Sequence, residues 1–107
     1  MWIFNKNQKI VNNLLREIKN ENYEFIDSSY VADFFETEVI YIIKVGDNII
    51  ESRLYEHVTG YGGSFSKQSN YSLKLNEYII FSRKKKRIFK LIDKAYKMPI
   101  SIKRNKK

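Results

Sequence analysis
The segment that most constrains this chain is Thr37 to Glu56. Thr37 to Val45 is dense in β-branched and aromatic residues, a composition that suits a pleated, half-buried surface better than a helix. Val39, Tyr41, Ile43 and Val45 point one way while Ile40 and Ile42 point the other, which predicts a central strand covered on much of both faces. Gly46-Asp47-Asn48 then supplies residues that tolerate positive φ, and Ile49 to Glu56 returns as the partner strand of a hairpin. Whatever the chain folds into must contain this antiparallel pair.

Helical spacing brackets the hairpin. In Lys6 to Asn20, Ile10, Val11, Leu14, Leu15 and Ile18 fall on one helical face, with Lys9, Asn13, Arg16 and Lys19 elsewhere. Asn5 or Asn7 is the expected start cap, and Asn20 or Asn22 the expected left-handed exit. In Arg83 to Lys97, Ile88, Phe89, Leu91, Ile92, Ala95 and Tyr96 form a second apolar face opposed by lysine and arginine, and Pro99 stops that helix. Tyr23 to Asp27 reads as a strand, and Tyr71 to Phe81 as another, although Asn76 to Ser82 suits either strand or helix. Val58 to Asn70 holds three of the four glycines and reads as a long loop. The expected fold is α+β: a three- to four-stranded antiparallel sheet with an N-terminal and a C-terminal helix packed on one face. Residues 1–98 make one domain, and residues 99–107, with Lys103, Arg104, Lys106 and Lys107, a basic tail.

Composition narrows the chemistry. A chain of 107 residues buries roughly 60 to 70% of its unfolded surface around one core. There is no cysteine and one histidine, which excludes a disulfide framework, thiolate metal sites and cysteine catalysis; no cofactor or metal is expected. No apolar run approaches the length of a membrane span or a signal peptide, so the expected location is the cytoplasm, with no membrane partner. Isoleucine, lysine, asparagine and tyrosine supply 48 residues, and lysine outnumbers arginine 15 to 5. That is the usage of AT-rich codons, pointing to a low-GC bacterium, its phages or its mobile elements.

Charge is segregated along the chain. Residues 1–20 carry a net +3, residues 21–60 a net −7 and residues 61–107 a net +12. Arg83-Lys84-Lys85-Lys86-Arg87 opens the second helix, where the helix dipole favours acids, so a phosphate backbone or an acidic protein surface is the expected compensation. Lys90 and Lys67 extend this basic set, and Tyr61 and Phe65, in the glycine-rich stretch, are candidates to stack on bases or enter a protein pocket. That stretch matches neither the P-loop nor the dinucleotide-binding pattern. Arg53, Tyr55 and His57 share one strand face, an arrangement from which a ribonuclease can be built: a base for the 2′-hydroxyl and cations for the phosphorane. The spacing permits this without demanding it, and the chain is not expected to be an enzyme.

Two stretches carry a resemblance. Val11 to Tyr23, Val-Asn-Asn-Leu-Leu-Arg-Glu-Ile-Lys-Asn-Glu-Asn-Tyr, resembles the opening helix and first strand entry of small prophage type II-A anti-CRISPR proteins. The hairpin Val39 to Glu56 is similar to their second and third strands, and Ile88 to Lys97 to the helix that follows. The resemblance implies a compact, non-enzymatic inhibitor that binds a guide-loaded type II CRISPR effector nuclease. In that family, acidic residues occupy the surface that reads the protospacer-adjacent motif. By position, the family's hairpin-tip residues fall on Asp47 and Asn48. Its acid after the first helix falls on neutral Asn22, and its acidic C-terminal region is replaced here by the +12 segment. What the resemblance implies is therefore an acidic mimic confined to the middle of the chain, Glu36, Glu38, Asp47, Asn48 and Glu51 among its residues. The basic end would reach guide RNA or an acidic part of the nuclease. Two rival expectations stand beside it: a basic module binding RNA or DNA, and a small ribonuclease toxin.

Overall fold
A computed structural model describes the backbone of residues 2–98 and the side chains of residues 8–60 and 62–98. The order is α1 (Trp2–Lys19), β1 (Glu24–Ala32), β2 (Glu36–Val45), β3 (Asn48–Tyr61), β4 (Ser64–Leu75), β5 (Tyr78–Ile79) and α2 (Lys85–Lys97). The strands form one antiparallel sheet in the order β1-β2-β3-β4-β5, each paired with its sequence neighbour. The α+β expectation holds, with five strands rather than three or four. The basic tail, 99–107, lies outside the described residues.

The two inner turns show how glycine sets register. Val45 pairs with Asn48 across Gly46-Asp47, and positive φ at Gly46, the first central residue, is the backbone demand of a two-residue type II′ hairpin. Tyr61 pairs with Ser64 across Gly62 and Gly63, whose φ values of +61° and +85° are those of a type I′ turn. The stretch 58–70, expected as a loop, is thus the far half of the β3–β4 hairpin. Its strands carry Ser64, Ser66, Gln68, Ser69 and Asn70, all exposed. With no covered face at this end there is no apolar alternation to announce a strand.

The segment after β4 is neither the long strand nor the helix expected. Asn76 sits at φ +56°, donates its amide to the Ile49 carbonyl at 2.6 Å, and accepts the Ile49 amide on its own side chain at 3.0 Å. These bonds turn the chain into the two-residue β5, and the following residues reach α2 without regular structure. At the other end, α1 begins at Trp2, so Asn5 and Asn7 lie inside the helix rather than capping it. Its exit uses neither Asn20 nor Asn22 as the left-handed residue. Glu21 takes φ +61°, its amide reaching the Ile18 carbonyl at 3.1 Å and the Asn22 amide the Glu17 carbonyl at 2.9 Å, the Schellman pattern.

Both helices pack on one face of the sheet. Val11, Leu14, Leu15 and Ile18 of α1, and Ile88, Phe89 and Ile92 of α2, are buried against Tyr41, Ile43, Ile50 and Leu73. No described element lies on the opposite face, and Ile40 and Ile42 are half-buried, so among the described residues the expected second cover for β2 is lacking. Even the packed face is covered over part of its length: beyond Val39, Leu54 and Tyr71, Tyr30 and Phe65 of that same face are exposed. The result is a slab of 48 × 45 × 19 Å. Buried Tyr41 donates its hydroxyl to Asp93 of α2 at 2.5 Å, and Lys97 holds the other carboxylate oxygen at 3.0 Å. Burial and the Asp93 carboxylate keep the Tyr41 phenol well above its ordinary range.

Two stability outcomes follow from this geometry. Glu21→Gly should raise stability by about 0.5–1 kcal/mol in urea unfolding, because glycine adopts positive φ without strain and the acid at the negative helix end is removed. Tyr41→Phe should lower it by about 1.5–3 kcal/mol, the range for a hydrogen bond to a charged group.

Candidate functional site
Amphipathicity fixes what α2 shows to solvent. With Ile88, Phe89 and Ile92 buried, the 100° step per residue turns Lys86, Arg87, Lys90, Lys94 and Lys97 outward, and all five are exposed. Arg83 and Lys84 precede the helix and are also exposed, while Lys85 is half-buried. The first turn contains no acid, and the Lys84 cap position makes no side-chain capping bond. Arg83 to Arg87 therefore sit at the helix end whose dipole repels cations, while Lys94 and Lys97 occupy the last turn, which favours them.

Few of them are neutralised. Lys97 pairs with Asp93, and Lys86 stands 5.8 Å above the centroid of the Tyr71 ring. Lys84 donates to the side-chain oxygen of Asn12 in α1 at 2.5 Å. Among the described residues, Arg83, Lys85, Arg87, Lys90 and Lys94 have no carboxylate partner. The neighbouring helix adds exposed Arg16 and Lys19.

A cleft separates the two helices on this side. Its larger part, about 790 Å³, is lined by Gln8, Asn12, Phe81, Arg83, Lys84 and Lys85, with buried Val11 at its wall. A second hollow of about 330 Å³ shares Asn12 and Lys84 with it and continues along Arg16, Lys19 and Arg87. The Lys84–Asn12 bond bridges the track where the two parts meet. Of the expected basic set, Arg83, Lys84, Lys85, Lys86, Arg87 and Lys90 gather on this helix layer.

Lys67 and Phe65 do not join them. Phe65 lies across from Gly60 at the end of the β3–β4 hairpin, roughly 20 Å of strand from Tyr71, over which Lys86 stands. A Cβ on Gly60 would come within 2.7 Å of the Phe65 ring, so the glycine makes room for the aromatic lying over it. Lys67 pairs with Glu56 at 3.0 Å. The side chain of Tyr61 lies outside the described residues.

The expected acidic residues divide in two. Glu36 and Glu38 stand on the open face opposite His57 and Tyr55. Glu36 accepts the Tyr55 hydroxyl at 2.7 Å and lies 3.6 Å from His57 Nδ1, while Glu38 is bound by Arg53. The Glu36 carboxylate that accepts its proton holds the Tyr55 phenol above its ordinary range. Arg53, Tyr55 and His57 do share a face, as expected, but Arg53 is neutralised and Asp33, Glu36 and Glu38 make the surroundings acidic. An RNA phosphate is repelled there, which counts against a ribonuclease centre. Glu51, by contrast, lies in one cross-strand row with Asp27, Ile42 and Lys74 on the open face, and Asp47 occupies the adjacent exposed turn. Neither Glu51 nor Asp47 has an ion-pair partner among the described residues. Asn48 is held by the Asn76 side-chain amide at 3.2 Å.

Sequence reading missed the cleft itself, namely Phe81, Gln8 and Asn12, and the part of Arg16 and Lys19 in it. The polar face of α1 was legible, but which neighbour it would meet was not. Phe81 was counted as the end of a strand. Among the described residues no helix is long and apolar enough to cross a membrane. Comparison with protein-family models, curated proteins and solved structures finds no match for this chain.

The β1–β2 turn has its own pH sensitivity. Asp33 accepts the backbone amides of Phe35 at 2.9 Å and Glu36 at 2.8 Å, which holds its carboxyl below the ordinary aspartate range. The turn's order is therefore complete above the ordinary aspartate value and is lost as pH falls through the lower folded value. In an NMR titration, the Phe35 and Glu36 amide resonances should move together in that acid window, and Asp33→Asn should abolish the transition.

Proposed function
We propose that this protein is a non-enzymatic nucleic-acid-binding module whose contact surface is the outer side of the two-helix layer. The observation that carries the reading is the run of cations along the α1–α2 cleft: Arg83, Lys85 and Arg87, without carboxylate partners among the described residues, beside Lys19, Lys84 and the Glu17-paired Arg16. Cations held close together at a helix N-terminus cost free energy in isolation, and a polyphosphate offsets that cost while releasing its condensed counterions.

The test is fluorescence anisotropy of labelled RNA and DNA with the protein in which Lys84, Lys85, Lys86 and Arg87 are all changed to Gln. These side chains contribute little to the core, so the variant should melt like the parent. Affinity at low salt should collapse, and the slope of log K against log salt should become shallower by roughly three for a single strand, the sum of four lost phosphate contacts. Unchanged binding would refute the reading.

A second reading is favoured by Asp27, Asp47 and Glu51, which present acids at one end of the open sheet face, within and beside the hairpin that resembles the anti-CRISPR proteins. On that reading the protein inhibits a bacterial type II CRISPR effector nuclease. The acids occupy a DNA-reading surface, and the basic layer meets guide RNA. Titration of target cleavage by guide-loaded nuclease separates the two. Stoichiometric inhibition that survives the four-residue neutralisation but is lost in Asp47→Lys/Glu51→Lys supports the inhibitor. Absence of inhibition, with salt-sensitive binding to bare nucleic acid, leaves the binding module.

A further inference from the structure
The larger part of the α1–α2 cleft is more than an electrostatic track, because a largely exposed aromatic ring lines it. Phe81 is 69% exposed, in the irregular segment between β5 and α2. Its neighbour Ile80 is buried in the core, and Ile80 donates its amide to the Leu73 carbonyl at 2.8 Å. The backbone is therefore pinned beside the sheet just before Phe81, and the ring is left to the cleft. Among the described residues Phe81 stacks on no other ring, whereas Tyr23, Phe25, Tyr41, Tyr71, Phe89 and Tyr96 all pack in pairs. A largely exposed ring beside Arg83, Lys84 and Lys85 in one cleft offers a site to an occupant that is flat and carries anionic groups nearby.

Resting on the nucleic-acid reading above, we infer that the cleft takes a single-stranded polynucleotide, with one unpaired base stacked on Phe81 and its flanking phosphates on Arg83, Lys84 and Lys85. The volume suits this, since about 790 Å³ lies within the range of cavities that enclose a nucleotide-sized ligand. The chemistry of the wall suits it too. Gln8 and Asn12 put side-chain amides on the α1 side, able to donate to and accept from a base edge. The Asn12 oxygen already takes the Lys84 ammonium, which leaves its NH₂ group as the donor on that side. The track past Asn12 and Lys84 continues to Arg16, Lys19 and Arg87, so cations line the path along which a backbone would run on. A duplex hides the faces of its bases in its own stack, so it satisfies the cations and leaves Phe81 unused. A single strand satisfies both.

The test compares a 12-nucleotide single-stranded RNA, the matching single-stranded DNA and the corresponding DNA duplex by fluorescence anisotropy over a series of salt concentrations. The full chain, Phe81→Ala and Phe81→Trp are measured side by side. Thermal melts serve as the folding control, since an exposed ring can be truncated without opening the core. Wild type should bind both single strands more tightly than the duplex. Phe81→Ala should weaken single-strand binding roughly tenfold to a hundredfold, the effect of removing one base–aromatic stack, with the salt slope and duplex affinity unchanged. Phe81→Trp should retain or improve it. A fluorescent base analogue in the strand should be quenched by wild type and not by Phe81→Ala. Salt-sensitive binding that ignores strandedness, or a Phe81→Ala variant that binds single strands like the parent, would overturn the base pocket while leaving the basic layer intact. Failure of all three polynucleotides to bind would overturn the nucleic-acid reading itself. A difference between the RNA and DNA arms assigns the sugar.

Discussion
The structure depends on where α2 is seated. Ile88, Phe89 and Ile92 reach into the same apolar layer as Tyr41, Ile43, Ile50 and Leu73, and that contact fixes the rotation of the helix about its own axis. Asp93 adds a polar pin: it is the sole acid in α2, and it is turned inward to the Tyr41 hydroxyl rather than outward to solvent. Every other charged side chain of the helix is a cation, so the seating that buries three apolar residues also sorts the charge. The basic layer is a consequence of packing, and the helix cannot be rotated to hide it without exposing the core.

The sheet handles charge in the opposite way. Four of its acids are engaged within the molecule: Glu36 by Tyr55, Glu38 by Arg53, Glu56 by Lys67, and Asp33 by two backbone amides. Exposed ion pairs contribute little to stability, typically below about 1 kcal/mol each, and of these contacts the Glu38–Arg53 and Glu56–Lys67 pairs offset charge, whereas the phenol and the backbone amides are neutral donors. Arg53 is already counted in the formal −7 of residues 21–60, so among the described residues Lys67 is the one cation that offsets it from outside the segment, and the helix-layer cations of 83–97 have one ion pair, Lys97–Asp93. At one end of the sheet Asp47 and Glu51 have no ion-pair partner among the described residues, and Asp27 there accepts the Ser28 amide at 2.8 Å. A formal charge difference along a chain becomes a field difference in space only after such pairing is counted.

How much of this was legible in the sequence follows from which faces are buried. The β2–β3 hairpin and both helices were readable because one side of each is packed, and burial writes a period into the residues. The far half of the β3–β4 hairpin was not readable, because nothing covers it and its alternation of serine, lysine, glutamine and asparagine carries no apolar rhythm. Its glycines suggested a loop when they marked a type I′ turn and a clearance for Phe65. The exit of α1 through Glu21 was hidden for a different reason: a residue without special propensity holds the left-handed conformation because the Schellman hydrogen bonds over-determine it. For the site, the individual cations were evident, but the cleft they line depends on α1 lying beside α2, a long-range fact that no local pattern encodes.

Burial also decides how the aromatic at the centre of the proposed site reads in the sequence. Phe81 follows Tyr78, Ile79 and Ile80, so in sequence it completes an apolar run that looks like strand. In space that run divides: Ile80 turns into the core, while Tyr78, Ile79 and Phe81 are left outside. Tyr78 and Ile79 belong to a two-residue edge strand, where short length limits unwanted pairing of exposed backbone. Phe81 has no such place in the sheet, and it lines the cleft with Arg83, Lys84 and Lys85. An exposed ring is ordinary on a protein surface, and a basic helix end is ordinary in a lysine-rich chain. Their meeting across a cleft is what gives the surface a chemical preference, because a ligand that satisfies both must present a flat apolar face and a phosphate within the same few ångströms.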